Sequence, residues 1–310
     1  MKLQEEVNNL QLAGNLDLLA SQVVEGFISG MHKSPFHGFS SEFAEHKIYN
    51  QGESTKHIDW KLFGKTDKLY TKKYDEETNL RCQIIIDNSA SMHYPFKKKH
   101  VLGNLNKLGF SVLASAVLMK LLKKQRDAVG LSVYSDIYEF YAPEKGNERH
   151  HHLLLNTLED LLNEKEDSTR KTNTYTYLHQ IAKKLHRRSL IFIFTDLFET
   201  ETDQEQLFKA LQHLKYNKHE VVFFHVMDKN TEVNFEFENT PTRFVDVETG
   251  AHLDLFAENV KESYEELMHK FQEELKLRCA KYRIKYVEVD VEKDFNKIMQ
   301  TYIAERQKII

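Results

Sequence analysis

Four apolar runs constrain this chain more than any other feature: Cys82 to Ile86, Val129 to Tyr134, Leu190 to Phe194 and Val221 to Val226. Each is as long as a strand and too short for a helix. Stretches with three- and four-residue apolar spacing separate most of them. Near-continuous apolar strands are buried on both faces, so the pattern predicts an α/β fold with a doubly wound, mainly parallel sheet covered by helices. The helical stretches fall at about 99–124, 150–164, 175–187, 202–215 and 257–280. A hairpin is expected through Tyr138 to Phe140, and a last strand from Lys285 to Val291.

The flanks read differently. Residues 15–31 have helical spacing up to Pro35. Residues 36–79 mix aromatics, charges and short alternating runs, which predicts a small β-rich region with Trp60, the only tryptophan, as its core. Asp59 is expected to accept hydrogen bonds tying that region to the α/β part. The organisation expected is therefore 1–79, an N-terminal helix plus a small β-rich region, and 80–310, the α/β domain, with a β insertion near 231–255 closed by a turn at Thr249-Gly250.

With 310 residues, 41% of them hydrophobic, the chain can bury a sizeable core. The formal charge of -4 gives no reason to expect nucleic acid as the main partner. The distant thiols Cys82 and Cys279 suit a reducing compartment. No stretch is apolar for long enough to span a bilayer, and the N-terminus lacks a signal-peptide pattern, so a cytoplasmic location is expected. His150-His151-His152 reads as a solvated helix start, because consecutive helical residues diverge by about 100°.

Ligands of doubly wound sheets bind beyond the carboxyl ends of the strands. Two apolar runs end there in an aspartate, Asp87 and Asp196. The first opens the turn Asp87-Asn88-Ser89-Ala90-Ser91-Met92. One carboxylate and two hydroxyls at alternate positions are oxygen donors suited to a hard cation. The plain alternative for these residues is a capped turn. Thr172-Asn173-Thr174 and Asp196 supply further oxygens from other loops.

With these residues in place, 82–226 resemble a von Willebrand factor A domain with its metal-ion-dependent adhesion site. The resemblance implies Asp87, Ser89 and Ser91 in the first loop, Thr172 in the second (Thr174 is the alternative) and Asp196 in the third. It implies Mg²⁺, or another divalent cation such as Mn²⁺ or Ca²⁺, with a coordination position open to a partner's carboxylate. Whether an internal acid such as Glu199 fills that position is left open by the sequence.

The preceding segment resembles the DUF58 family in Gly38-Phe39-Ser40-Ser41-Glu42-Phe43, Lys47-Ile48-Tyr49, Gly52, Ile58-Asp59-Trp60-Lys61 and Lys72-Lys73-Tyr74. That resemblance implies a partnership with a MoxR-type AAA+ ATPase or its client, in a chaperone-like or assembly role. The function expected is metal-dependent protein binding, not catalysis. No P-loop, strand-linked GxGxxG or GxSxG elbow is present. A Mg²⁺-dependent hydrolase using Asp87 and Asp196 is the alternative.

Overall fold

A computed structural model describes residues 10–29, 43–49, 58–74, 80–97, 99–164, 174–197, 201–247 and 250–309. In chain order the elements are α1 (Leu16–Ser29), β1 (Phe43–Ile48), α2 (Trp60–Thr66), β2 (Tyr70–Tyr74), β3 (Arg81–Asp87), α3 (Lys107–Lys124), β4 (Ala128–Tyr134), β5 (Tyr138–Lys145) and α4 (Glu148–Asn163). They continue with α5 (Thr174–Lys184), β6 (Leu190–Thr195), α6 (Glu201–Tyr216), β7 (Glu220–Met227), β8 (Pro241–Val245), β9 (His252–Phe256), α7 (Glu258–Lys281), β10 (Lys285–Asp290) and α8 (Phe295–Ile309).

The central sheet has the order β10-β7-β6-β3-β4-β5, parallel except for β5, which turns back antiparallel on β4 at the edge. Alternate residues of each strand serve opposite faces, as a two-residue period requires. Ile84, Ile86, Phe192, Phe194 and Phe224 join the core under α1, α3, α4 and α8. Ile85, Ile191, Ile193 and Phe223 join the core under α5, α6 and α7. Gln83, the one polar residue of its run, is fully buried and donates from Nε2 to Ser132 Oγ at 2.8 Å. Gly130 leaves it room: a Cβ there would lie 2.2 Å from Gln83 Oε1.

Several expectations need correction. The helix expected from 99 begins at 107, where Asn106 Oδ1 accepts the Gly109 N–H at 2.7 Å. Before it, Val101 and Asn104 exchange backbone hydrogen bonds across a tight turn, and the His100 carbonyl accepts the Leu12 N–H. Between β1 and β2 lies a helix, α2, rather than strands alone, and Trp60 at its start is 64% exposed, so it is not a core residue. Asp59 caps this helix, accepting from the N–H groups of Lys61 and Leu62. The cap fixes the helix start and turns the Trp60 ring outward, edge-on to Phe63.

Among the described residues of the insertion, β8 and β9 are the strands, and residues 229–233 form a π-helical turn capped by Asp228. His150 and His151 are buried, and His150 Nε2 lies 2.9 Å from the Val129 carbonyl. Among the described residues, no helix is long and apolar enough to cross a membrane.

Candidate metal centre

Strand order reverses around β3, whose neighbours β4 and β6 lie on opposite sides, so a crevice opens at the carboxyl ends of β3 and β6. Asp87 ends β3, and Asp196 directly follows β6. Both are buried. Asp87 Oδ1 accepts the Ser89 N–H at 3.0 Å, which closes the turn and starts a single 3₁₀ turn, Ala90–His93. Asp87 Oδ2 accepts the Thr195 hydroxyl at 2.8 Å. Beside them, Ser89 Oγ and Ser91 Oγ are 3.1 Å apart.

These donors fit a small divalent cation. An octahedral Mg²⁺ with bonds of about 2.0–2.1 Å sets neighbouring oxygens about 3 Å apart, the spacing of the two serine hydroxyls. Among the described residues no basic side chain pairs with Asp87. Its pKa is pushed up to about 8, by burial first and then by the Asp196 carboxylate. Such a carboxylate gains from any cation brought to it. The described residues hold no group of three His, Cys, Asp or Glu side chains suited to a metal. The donor set here is instead two carboxylates and hydroxyls.

The sequence reading missed two residues at this site, Lys107 and Glu232. Lys107, the first residue of α3, is fully buried, and its ammonium donates to Asp196 Oδ2 at 2.7 Å and to Glu232 Oε1. A cation in the first turn of a helix opposes the helix dipole, and burial alone would push its pKa down. The two carboxylates override both effects and hold it above the ordinary lysine range. Glu232 comes from the π-helical turn, and its other oxygen accepts the Asp228 N–H at 2.7 Å. Burial pushes its pKa up to about 7, against the pull of Lys107. The Asp196 backbone is fixed too: its carbonyl lies 2.9 Å from His225 Nε2, a ring whose pKa burial lowers to about 4.

The structure thus brings Asp87, Ser89, Ser91 and Asp196 to one crevice. Thr172 and Glu199 lie outside the described residues. Thr174 is buried, with its Oγ1 3.3 Å from the Tyr134 hydroxyl. Among the described residues, Glu232 is an internal acid brought to this site. One sequence signal pointed to Lys107: it is the lone charge in the otherwise uncharged run from 107 to 119.

A six-stranded sheet, parallel but for one edge strand, with helices on both faces and this crevice at its switch point, defines a von Willebrand A-like domain. The chain belongs to the family described as "Protein of unknown function DUF58", whose model matches residues 45–274. Uncharacterized proteins of Mycobacterium tuberculosis and Mycobacterium bovis are 21% identical to it over 159 residues, 50% of this chain and 48% of theirs. The chain therefore spans about half the length of the curated relatives it matches.

Among solved structures it is similar to the conserved hypothetical protein BatB from Bacteroides thetaiotaomicron. That match has 16% identity and a TM-score of 0.45, and covers 74% of this chain and 99% of that one. It is also similar to the SpRpn10 VWA domain, with 12% identity and a TM-score of 0.32, over 48% of this chain and 76% of that one.

Proposed function

We propose that this chain is a protein-binding adapter whose binding depends on a divalent cation, and that it is not an enzyme. The observation that carries this reading is the pair of serine hydroxyls, 3.1 Å apart, beside the buried Asp87 carboxylate that no basic side chain among the described residues neutralises. Asp87, Ser89 and Ser91 would hold the ion, with Thr172 and Asp196 contributing from the other loops. Mg²⁺ suits this oxygen set best; Mn²⁺ and Ca²⁺ are the other candidates. When bound, the ion supplies an electrophilic seat for a partner's carboxylate.

The chain's own residues prepare that seat. Ser89 N–H and the Thr195 hydroxyl fix the two Asp87 oxygens. Lys107 neutralises charge on Asp196 and Glu232, so less negative charge faces an incoming acid. The family resemblance suggests the partner: a MoxR-type AAA+ ATPase, or the client of one, met in the cytoplasm.

A tagged pull-down tests this reading, run with Mg²⁺ and with EDTA on wild type and Asp87→Ala. Calorimetric titration with Mg²⁺ accompanies it. A partner retained only by wild type in Mg²⁺, with heat of binding that Asp87→Ala lacks, is the expected result. Equal Mg²⁺ uptake by Asp87→Ala would refute the site. Capture of the same partner under every condition would refute the metal dependence.

A further inference from the structure

A cavity of about 830 Å³ opens beside the candidate metal centre. Its size falls within the range of about 300–1,000 Å³ usual for ligand sites. Ser91 and Asp196 stand at its polar end. Its walls are aromatic: Phe235 and Phe237 after the π-helical turn, Phe244 on β8, Tyr264 and Phe271 on α7. The rings brace one another. Phe235 stacks on Phe244 with centroids 5.2 Å apart and lies 4.6 Å from Tyr264, and Phe237 meets Phe244 edge-on at 4.9 Å. Met227 and Met268 add two flexible thioethers to the lining. An isolated two-stranded hairpin is marginal in water, and here β8–β9 borrows its support from these contacts.

We infer that this cavity receives the apolar side chain next to the carboxylate that engages the site. The preferred ligand is then a peptide segment in which Asp or Glu adjoins an aromatic or large aliphatic residue. The inference rests on the cation-dependent binding proposed above.

Two observations select this occupant. First, Ser91 belongs to both places: its hydroxyl meets Ser89, and it lines the cavity. Adjacent peptide residues are about 3.8 Å apart, so a residue beside the bound acid enters the cavity that Ser91 lines. Second, the charges at the polar end already satisfy one another, since Lys107 bridges Asp196 and Glu232. A basic side chain would have to compete with a buried ammonium, whereas an acidic one is drawn to the ion. Aromatic rings and methionines accept apolar groups of varied shape.

Methyl NMR of the whole chain, labelled with ¹³C at its methionine methyls, tests this. Met227 and Met268 are the reporters, and Met→Leu variants assign them. The probes are an acetylated, amidated tetrapeptide with a Phe-Asp core, its Ala-Asp and Phe-Asn counterparts, and 3-phenylpropionate, each with Mg²⁺ and with EDTA. The Phe-Asp peptide should shift both methyls only with Mg²⁺, and bind at least tenfold more tightly than either counterpart. Phe237→Ser, at a partly exposed position, should remove that preference while calorimetric Mg²⁺ uptake persists.

Ala-Asp binding as well as Phe-Asp, or silent Met227 and Met268 methyls, would overturn the cavity assignment while leaving the cation reading intact. Equal binding of 3-phenylpropionate would replace the peptide with a small acid and overturn the inference as stated. Absence of Mg²⁺ uptake by wild type would remove the cation reading itself, and the inference with it.

Discussion

Asp87 and Asp196 stand at the ends of two neighbouring buried strands, yet the chain treats them in opposite ways. Asp196 has an internal cation, Lys107, which it shares with Glu232. Asp87 has a backbone N–H, a threonine hydroxyl and, among the described residues, no basic partner. Burying an ion pair is roughly neutral, whereas burying a lone charge is costly. The Asp196 half of the site is therefore complete as it stands. The Asp87 half is held in place but carries an unmet demand for positive charge, and that asymmetry directs a divalent ion to the Asp87 side.

The largest effect should come from breaking the completed half. Lys107→Met keeps the side-chain length and strands two buried carboxylates, a loss of about 3–5 kcal/mol. Urea unfolding measures it. Adding Glu232→Gln removes one stranded charge and should recover part of the loss. If Lys107→Met stays within about 0.5 kcal/mol of wild type, a range usual for surface changes, the ion pair is not what holds α3 to the site.

The incomplete half should respond to metal instead. With Mg²⁺ at a hundredfold over its Kd, wild type should gain about 2.7 kcal/mol of stability. Asp87→Asn should gain nothing from Mg²⁺, and in EDTA it should equal or exceed wild type, because it removes a carboxylate that burial disfavours. Thermal melts with and without Mg²⁺ separate these outcomes. A Mg²⁺ response that survives in Asp87→Asn would place the ion elsewhere.

The two halves were not equally legible in the sequence. Asp87, Ser89 and Ser91 share one turn after an apolar strand, so local pattern alone brought them together. Asp196 was found in the same way, at the end of its own run. Lys107 left a fainter mark, a lone charge opening a run that is otherwise uncharged as far as residue 119. Its partner could not be named, because the pairing joins residues 89 positions apart. Glu232 left none, since it reaches the site through a π-helical turn in a segment whose alternation reads as strand. Trp60 shows the limit of composition: a large aromatic in a short region suggests a core, but the Asp59 cap sets a helix phase that leaves the ring exposed. The sheet itself was legible because strands buried on both faces leave little alternative to an apolar run.

A third buried carboxylate, Asp127 just before β4, extends the comparison away from the site. Its Oδ1 accepts the Leu80 N–H at 2.9 Å, while its Oδ2 has no partner among the described residues. Among the described residues it, like Asp87, has no cation, but no hydroxyl bonds to it either, and no ion is expected there. Burial raises its pKa from 3.8 to about 6. The folded state thus favours the protonated acid, and this contribution is full below about pH 4 and lost as the pH rises through 6.

Asp127→Asn keeps the oxygen that accepts from Leu80 and carries no charge. Above pH 6 it should be more stable than wild type by about 1–3 kcal/mol, a rise of a few °C in Tm. The difference should close towards pH 4 and should not change with Mg²⁺. Melts of the two proteins from pH 4 to pH 8, with Mg²⁺ and with EDTA, check both statements. If Asp127→Asn also altered the Mg²⁺ response, a buried unpaired carboxylate would not by itself mark the metal site, and the contrast between Asp87 and Asp196 would lose its meaning.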